Sequence, residues 1–309
     1  MQSILITGGT GSFGKAFVKF LLENTEIPRI AIYSRGEHAQ EDMERDLHDS
    51  RLRFFIGDVR DQPRLEMAMR GVDYVVHAAA LKIVPIAEYN PTECTTTNVG
   101  GAENVVRAAI NVGVKRVVTL STDKAVNPIN LYGASKLAAE KIFLAAGALG
   151  AGKTTFSVVR YGNVHGSRGS VVPLFQKLAE KGIKLPITHK DMTRFWLPMN
   201  LAMAMVANAL RLSSHGCVWV PKVPSIRIMD LAQAIAPDQE RDFIGIRPGE
   251  KVHETLITAD ESRYTVDADL FYLLDPRGMP AGKPVPEGFE YTSNSNPHFL
   301  TTDGIRKIL

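Results

Sequence analysis

The chain has 309 residues, of which 45% are hydrophobic and 22% charged, so it is long enough for one large domain or two lobes with an ample core. Its net charge of +3 is too small to indicate nucleic acid as a partner, whereas a pI of about 8.8 suits an anionic small molecule. We expect neither a membrane span, because no apolar stretch reaches about 20 residues, nor a signal peptide. Cys94 and Cys217 form no C-x-x-C motif and are interpreted as reduced thiols of a cytoplasmic protein.

The first predicted unit is a strand, a glycine-rich turn and a helix. Ser3–Thr7 is a β-branched run, three glycines then follow with the spacing G-x-x-G-x-x-G, and residues 15–22 have helical spacing. The first glycine permits a tight turn, the second lets a pyrophosphate approach the backbone, and the third lets the helix pack close to the strand. A helix N-terminus also presents free N–H groups to phosphate. The turn therefore predicts a dinucleotide site rather than a plain structural turn, with contacts from Gly8, Gly11, Ser12, Phe13 and Gly14.

The end of the second predicted strand, residues 30–34, indicates which dinucleotide is bound. An NAD-preferring site usually has an Asp or Glu here to bind the ribose 2′-hydroxyl. This chain has Ser34 and Arg35 instead. An arginine cannot accept a hydroxyl hydrogen bond, but it can donate two hydrogen bonds to a 2′-phosphate. The sequence therefore favours NADP over NAD, the alternative being that Arg35 is a solvated surface residue.

The third predicted strand, Leu52–Ile56, is followed by Asp58 and Val59, which are further candidate cofactor contacts. Asp58 either accepts a hydrogen bond from the adenine amino group or caps the helix predicted at 63–69, and both roles stay open.

The fourth predicted strand, residues 73–77, ends in a histidine and is followed by small side chains. His77 is interpreted as a residue of the core rather than a catalyst. Ala78 and Ala79 let the backbone lie close under the cofactor. Lys82 comes next and is expected beside both the cofactor and the substrate.

The fifth predicted strand, residues 114–120, leads into a dense group of acid and base side chains. Three lie on the loop at the carboxyl edge of the strand. Two more lie four residues apart on the helix predicted at 131–144, so both project from one helix face. We predict an acid/base cluster on a rigid frame, the alternatives being a surface ion pair and a chance pair on the helix. The candidate catalytic residues are Thr122, Asp123, Lys124, Tyr132 and Lys136.

Strands and helices alternate through residue 160, which predicts an α/β fold with a Rossmann-type, doubly wound parallel sheet of about seven strands. A smaller C-terminal substrate lobe is expected to be interleaved with this sheet. We assign residues 1–165 and 197–222 to the NADP-binding domain, and residues 166–196 and 223–309 to the substrate lobe. Residues 243–246 are strand-like, and the segment from Asp275 onward is expected to be mostly loop.

The second half of the chain carries basic residues in loops and turns, where a backbone can wrap a phosphate. Each one alone is as consistent with a solvated face as with a ligand contact. Together, opposite a dinucleotide crevice, they suggest a second anionic ligand such as a nucleotide diphosphate. These residues are Arg168, Arg194, Arg247 and Lys251.

Several motifs together resemble those of the extended short-chain dehydrogenases/reductases, and more narrowly the inverting UDP-N-acetylglucosamine 4,6-dehydratases. Those enzymes open the bacterial pathway to pseudaminic acid and related capsule or flagellin sugars. Similar proteins carry a histidine where this chain has Ile83 and an apolar residue where it has His165. Both positions are candidate substrate contacts, so the identity of the sugar stays open. The motifs are Thr7-Gly-Gly-Thr-Gly-Ser-Phe-Gly14, Lys82-x-Val-Pro-Ile-Ala-Glu-Tyr-Asn90, Ser121-Thr-Asp-Lys124, Tyr132-x-x-x-Lys136, Arg160-Tyr-Gly-Asn163 and Arg247-Pro-Gly-Glu-Lys251.

The resemblance implies a bound NADP that is reduced and reoxidised within one turnover. The sugar is oxidised at C4, loses water across C5 and C6, receives hydride at C6 and is inverted at C5. Tyr132 is the implied base for the C4 hydroxyl, with its pKa lowered by Lys136 and the nicotinamide charge. Asp123 is the implied acid and Lys124 the base at C5, which requires that burial, Lys136 or Lys82 lower the pKa of Lys124.

The resemblance also implies a UDP-sugar substrate and a homo-oligomer, and no metal. The rival interpretations are another sugar-nucleotide epimerase or 5,6-dehydratase, and a non-catalytic NADP-sensing module. A simple 4-epimerase needs no base at C5, and a sensing module often lacks the Tyr or the Lys. The candidate substrate contacts are Lys82, Asn163, Arg168, Val171, Arg194, Arg247 and Glu250.

Overall fold

A computed structural model describes residues 1–149, 152–166, 170–212, 216–278 and 280–309. The helices in these ranges are α1 (Ser12–Asn24), α2 (Glu37–Leu47), α3 (Gln62–Met69), α4 (Val84–Tyr89), α5 (Pro91–Thr95), α6 (Gly101–Val112), α7 (Leu131–Leu149), α8 (Val171–Glu180), α9 (Met199–Leu212), α10 (Ile228–Ile235) and α11 (Thr302–Arg306). A π-helix (Thr96–Gly100) precedes α6, and short 3-10 helices span Asp123–Ala125 and Asp260–Tyr264.

The strands in the same ranges are β1 (Ser3–Thr7), β2 (Arg29–Ser34), β3 (Leu52–Ile56), β4 (Tyr74–His77), β5 (Arg116–Thr122), β6 (Thr155–Tyr161), β7 (Asn163–Val164), β8 (Leu185–Ile187), β9 (Thr193–Leu197), β10 (Val218–Pro221), β11 (Ser225–Arg227), β12 (Arg241–Phe243), β13 (Thr255–Ile257), β14 (Thr265–Asp267), β15 (Phe271–Leu274), β16 (Lys283–Pro284) and β17 (Tyr291–Thr292).

The main sheet has the strand order β16-β14-β15-β10-β6-β5-β4-β1-β2-β3 in the described residues. The seven strands from β3 to β10 in this order pair in parallel, which confirms the predicted α/β fold with its doubly wound sheet. Strands β15, β14 and β16 then extend one edge in antiparallel pairs, so the sheet is larger than the predicted seven strands. These strands were missed because none is longer than four residues, and β16 shows that the segment after Asp275 is not all loop.

The sheet is buried on both sides. Ile4, Leu5 and Ile6 of β1 are fully buried, as expected for a strand covered by helices on both faces. Helices α3, α6 and α7 pack side by side, while α1 packs against α9. The strand order reverses between β1 and β4, and a ligand crevice is expected outside the carboxyl ends of the strands at such a point.

A second, smaller apolar cluster is formed by α8, α10, α11 and the strands β8 and β9, with Phe175, Trp196 and Leu231 among its buried side chains. This cluster belongs to segments that were assigned to the substrate lobe. Strands β14–β16 were assigned to the same lobe, but they join the main sheet. The division into two lobes stays a prediction. The strand predicted at 243–246 is wrong. Strand β12 ends at Phe243, and Ile244 and Ile246 are exposed, because β12 pairs only with the short β8.

A buried ion-pair network ties the sheet to the helix after β5. The guanidinium of Arg160 on β6 lies 2.7 Å from a carboxylate oxygen of Glu140 on α7 and 3.0 Å from one of Glu261 in the second 3-10 helix. It also donates a 2.9 Å hydrogen bond to the carbonyl of Leu256. Arg160 and Glu140 are almost fully buried, so each charge depends on its partners.

We predict that Glu140→Ala lowers the free energy of unfolding by about 3–5 kcal/mol, because it leaves the buried Arg160 with only part of its compensation. Urea unfolding measures this change. The control is Glu103→Ala, which removes the partner of Arg107 on the exposed face of α6. That change is expected to cost no more than about 1 kcal/mol. Equal effects of the two substitutions contradict the prediction.

Candidate active site

The glycine-rich turn after β1 has the geometry that its sequence predicts. Gly8 has a φ of +67°, and a Cβ added to it would lie 2.8 Å from the backbone nitrogen of Ala79. A Cβ added to Gly14 would lie 2.5 Å from the backbone of Gly9. Only glycine therefore lets the turn cross the segment after β4 and lets α1 pack on the turn. Gly11, which precedes α1, supplies no side-chain cap, so the first N–H groups of the helix stay available to a ligand.

A cleft of about 470 Å³ lies against this turn, at the carboxyl ends of β1, β2, β3 and β4. Its shape and its lining of backbone and small side chains fit an extended, anionic dinucleotide. Of the predicted cofactor contacts, Ser12 and Phe13 begin α1, and the Phe13 ring stacks on Phe17 at 5.4 Å. The predicted contacts that line the cleft are Gly8, Gly11, Ser34, Arg35, Asp58, Val59, Ala78 and Ala79.

Two arginines flank Asp58 at the far end of this cleft. Arg60 lies 2.7 Å from its carboxylate and Arg35 lies 3.9 Å away, and the hydrogen bond from Arg60 lowers the pKa of Asp58. The helix-cap role considered for Asp58 is wrong, because Asp61 accepts the hydrogen bond from the Arg64 backbone at the start of α3. The Arg35 side chain is more than half exposed, so it is free to turn toward a ligand.

The histidine at the end of β4 is a structural residue. His77 is buried, stacks on Phe143, and shares a 2.8 Å hydrogen bond with the Thr7 hydroxyl. Burial lowers its pKa to about 3, and Lys136 adds to the effect, so the ring is neutral. Thr7 also accepts a 3.3 Å hydrogen bond from the backbone of Ala79. His77 thus fixes the backbone under the cleft, in agreement with the prediction that it belongs to the core.

The loop after β5 buries an acid and an amine beside a second acid. Asp123 is fully buried, and its Oδ1 lies 3.0 Å from the Nζ of Lys124. The same oxygen accepts a 3.0 Å hydrogen bond from Thr122. On its other side, Lys124 Nζ lies 3.3 Å from Oε1 of the buried Glu254. The surface ion pair considered as an alternative for Asp123 and Lys124 is therefore wrong.

The charge state of Lys124 differs from the one expected. Burial alone lowers the pKa of this amine, but Asp123 and Glu254 together outweigh burial and raise it above its ordinary value. The expectation that burial, Lys136 or Lys82 lowers the pKa of Lys124 is therefore wrong. It did not include Glu254, a second carboxylate against the same amine.

Tyr132 and Lys136 occupy the first turns of α7, close to this loop. Burial raises the pKa of Tyr132 to about 12, while Lys124 and a hydrogen bond to Thr122 act in the opposite direction. Lys124 is thus a cation that favours the phenolate, and the role expected of Lys136 stays a prediction. Lys136 is itself buried, and burial lowers its pKa to about 8 against the pull of Glu140.

The predicted substrate contacts are placed in different environments. The side chain of Arg194 is buried, and its guanidinium donates hydrogen bonds of 2.7–3.0 Å to the carbonyls of Thr193, Lys251 and Val252, so a solvated face is excluded for it. Arg247 is exposed, and Glu250 lies 3.6 Å from Arg194.

Three of the remaining predicted substrate contacts are Lys82, Val171 and Asn163. Lys82 is an exposed residue before α4, and partial desolvation of its amine lowers its pKa. Val171 begins α8, and Asn163 belongs to β7. Arg168 lies outside the described residues. Asn163 pairs with Trp196 across β7 and β9, and the His165 ring lies 5.3 Å from the Trp196 ring. Asn163, His165 and Trp196 each bury a polar atom that has no hydrogen-bond partner among the described residues, as a polar ligand site requires.

Residues 4–276 of this chain match a family model that is described as "Polysaccharide biosynthesis protein". The chain belongs to this family. It is 47% identical to the inverting UDP-N-acetylglucosamine 4,6-dehydratase of Campylobacter jejuni, over all of this chain and 97% of that protein. It is 42% identical to a UDP-glucose 4-epimerase of Rickettsia akari, over all of this chain and 95% of that protein. The X-ray structure of Pen from Bacillus thuringiensis matches it with a TM-score of 0.91 and 34% identity, over 99% and 97% of the two chains.

Glu254 is the site residue of this family member that sequence reasoning missed. It lies beyond the last residue of the Arg247–Lys251 motif, and nothing in its local pattern distinguishes it from a surface glutamate. Its contact with Lys124 arises because β13, which it precedes, lies beside the 3-10 helix after β5. The one signal in the sequence that could have indicated Glu254 is its position three residues after the Arg247–Lys251 motif.

No group of three or more His, Cys, Asp and Glu side chains in the described part of this family member could hold a metal ion. Among the same residues, no helix is both long enough and apolar enough to cross a membrane.

We predict that Gly14→Ala destabilises the protein by about 1–3 kcal/mol, because the new Cβ overlaps the backbone of the turn at Gly9. The free energy of unfolding in urea measures this cost. Gly100→Ala is the matched control, since Gly100 has helical backbone angles and an added Cβ meets no atom within 4 Å. That control is expected to be neutral or slightly stabilising. An equal loss in both variants would rule out the overlap as the cause.

Proposed function

We propose that this chain is an inverting UDP-N-acetylglucosamine 4,6-dehydratase, a hydro-lyase that acts on a nucleotide sugar. The observation that carries the proposal is the ion pair between the buried Asp123 and Lys124 at the carboxyl end of β5, beside Tyr132. An acid and an amine at this place supply the two groups that elimination of water needs. The match to the Campylobacter jejuni dehydratase over all of this chain supports the same conclusion.

The first step is oxidation at C4 of the sugar. Tyr132 takes the proton of the C4 hydroxyl, and Thr122, hydrogen-bonded to it, orients the phenol. Lys136 and Lys124 provide the positive charge that stabilises the phenolate, the form of Tyr132 that accepts the hydroxyl proton. Hydride leaves C4 and later returns to C6, and this is the chemistry that a bound nicotinamide supplies.

The second step is loss of water. The C4 ketone acidifies the C5–H bond, so an amine of Lys124 that has lost its own proton can take the C5 proton. Asp123, when protonated, gives its proton to the departing C6 hydroxyl. The two groups are fixed 3.0 Å apart, so both proton transfers occur at one place in a site shielded from water.

The cofactor we propose is NADP. The cleft beside the glycine-rich turn accepts a dinucleotide, and the choice between NADP and NAD rests on Arg35. Its side chain lies at the edge of the cleft with no Asp or Glu at the end of β2 to bind a ribose 2′-hydroxyl. Asp58 is the nearest carboxylate, and Arg60 already engages it.

The proposal extends to the substrate contacts and the assembly. The residues that we propose to contact the UDP-sugar are Lys82, Asn163, Arg168, Val171, Arg194, Arg247 and Glu250. The exposed apolar side chains of Ile83, Ile86 and Tyr89 at α4 support a homo-oligomer. The compartment that we propose for it is the cytoplasm. The product is consistent with a supply of sugars such as pseudaminic acid for polysaccharide or flagellin.

A 4-epimerase is the second candidate, and the Rickettsia akari relative favours it. Epimerisation at C4 uses the same hydride chemistry and the same tyrosine. It leaves the C5–H and C6–O bonds intact, so it gives no task to the Asp123 and Lys124 pair. The mass of the product separates the two candidates, because an epimer has the mass of its substrate.

Incubation with UDP-N-acetylglucosamine is expected to give a product lighter by one water, without net formation of NADPH. In deuterated water, solvent deuterium is expected at C5, because the proton taken from C5 exchanges before a proton returns. Mass spectrometry and proton NMR of the product check both expectations. A product of unchanged mass contradicts the dehydratase and leaves the epimerase, and a product without deuterium removes the proposed role of Lys124.

We predict that Arg35→Ser weakens NADP binding about tenfold or more and leaves NAD binding nearly unchanged, because it removes a charge-assisted contact to the 2′-phosphate. Titration calorimetry on nucleotide-free protein measures both affinities. Arg53→Ser is the control, since Arg53 on β3 donates only to nearby carbonyls of its own loop. If NADP and NAD lose affinity equally, Arg35 does not select the cofactor.

A further inference from the structure

The amine of Lys124 is held between two buried carboxylates that come from distant parts of the chain. Asp123 Oδ1 lies at 3.0 Å and Glu254 Oε1 at 3.3 Å from the same Nζ. The second oxygen of each carboxylate is also buried and has no hydrogen-bond partner among the described residues. Burying two such oxygens is costly unless a proton or a substrate group reaches them.

The position of Glu254 is fixed by its backbone. Its N–H donates a 2.9 Å hydrogen bond to the hydroxyl of Ser293, and its carbonyl accepts a 2.8 Å hydrogen bond from the Ser293 backbone. Strand β13, which begins after Glu254, pairs with β17, which ends before Ser293. The carboxylate therefore points at Lys124 from a rigid support.

Four charged groups face Glu254 from the elements packed around it. Asp123 and Lys124 come from the loop after β5, and Arg194 Nε on β9 lies 3.8 Å away. Lys251 acts from farther off, since its amine donates a 2.6 Å hydrogen bond to the carbonyl of Val126. Burial, followed by Asp123, raises the pKa of Glu254, and the three cations oppose them. Glu254 is thus a carboxylate that accepts a proton more readily than an exposed one.

Lys124 cannot take a proton from C5 while its amine is fully protonated, and the two carboxylates beside it favour the protonated form. We propose that Glu254 is the positioning residue that activates Lys124, by holding its amine and taking one proton from it when the substrate covers the site. This inference rests on the proposed function, because the C5 base is needed only if water is eliminated.

The proton balance is simple. One Nζ–H bond of Lys124 breaks and an O–H bond forms on Glu254, so an ion pair becomes a neutral amine and a neutral acid with no change in total charge. The C5–H bond then breaks, its proton forms a new Nζ–H bond, and its electron pair is delocalised into the C4 carbonyl. The extra proton of the pair leaves to solvent when the product departs and uncovers Lys124, whose side chain is 26% exposed.

Substrate binding favours this transfer for a physical reason. Covering the exposed part of Lys124 removes water from the ion pair, and loss of water penalises the charged forms of both partners. Asp123 is the less suitable acceptor because Thr122 and Lys124 already donate to its Oδ1 and because its own proton is needed at the C6 hydroxyl.

The decisive variant is Glu254→Gln, which keeps the shape of the side chain and removes its ability to take a proton. At pH 7 the release of water is expected to fall by about a hundredfold or more. Lys124 must then lose its proton to solvent, so the rate is expected to rise by about tenfold per pH unit until the lysine has titrated. The wild-type rate, which uses an internal transfer, is expected to be flat over the same range.

Ser293→Ala is the matched control for a purely structural role. It loosens the support of Glu254 without removing the carboxylate, so the rate is expected to fall with no new dependence on pH. Glu254→Asp covers the case in which Glu254→Gln does not fold. It withdraws the carboxylate from the amine by one methylene, so the same rise with pH is expected with a smaller loss. A flat profile in the folded Gln variant, or in the Asp variant if Gln fails to fold, overturns the proposal.

A nitrogen NMR titration of labelled lysine separates this proposal from the proposed function. Removing the negative charge of Glu254 is expected to lower the pKa of Lys124, because Glu254 is one of the groups that raise it. Lys124→Ala assigns the signal. An unchanged Lys124 titration overturns the Glu254 proposal whatever reaction the enzyme catalyses, whereas a wild type that releases no water overturns the proposed function.

Discussion

The buried guanidinium of Arg160 holds together the parts of the molecule on which the site depends. A charge removed from water in this way must be compensated by close partners, and Glu140 and Glu261 provide them from two different segments. Glu140 belongs to α7, so the helix that carries Tyr132 and Lys136 is fixed against β6. Glu261 belongs to the 3-10 helix that follows β13, so the same arginine also fixes the segment after Glu254.

The two lysines of the site differ because their electrostatic partners differ. Lys136 is buried beside Glu140, whose carboxylate is already engaged by Arg160, and burial leaves its pKa at about 8. Lys124 has Asp123 and Glu254 directly against its amine, and they raise its pKa. A lysine at a strand end is therefore not a base by virtue of burial alone. Its charge state depends on how many carboxylates reach it and on whether one of them can accept a proton.

The half of the fold that precedes residue 160 could be predicted from local sequence, because each strand, turn and helix there carries its own signal. Gly8 and Gly14 are examples, since the contacts that require glycine lie within the turn and the neighbouring strand end. The hydrophobic runs likewise marked β1 to β6. The candidate catalytic residues were found because Asp123, Lys124 and Tyr132 lie close together in sequence as well as in space.

What the sequence did not reveal depends on contacts between distant segments. Glu254 reaches Lys124 through the packing of β13. Arg194 turns inward because it donates to the carbonyls of Lys251 and Val252, as well as to that of its neighbour Thr193. The charge state of Lys124 was predicted incorrectly for the same reason. Strands β14, β15 and β16 were missed because short antiparallel strands at a sheet edge have no periodic pattern long enough to detect.

The glycine-rich turn, the cleft and the Tyr132 and Lys136 pair suit any enzyme that oxidises a nucleotide sugar at C4, so they cannot separate a dehydratase from an epimerase. The separation lies in the cluster of Asp123, Lys124 and Glu254, which is assembled from both halves of the chain. An enzyme that leaves C5 intact does not need an amine held between two buried carboxylates. Burying those charges would destabilise its fold without contributing to catalysis. We therefore propose that the choice of reaction is made where the loop after β5 meets the segment before β13, while the shared nucleotide fold supplies the oxidation that makes C5 acidic.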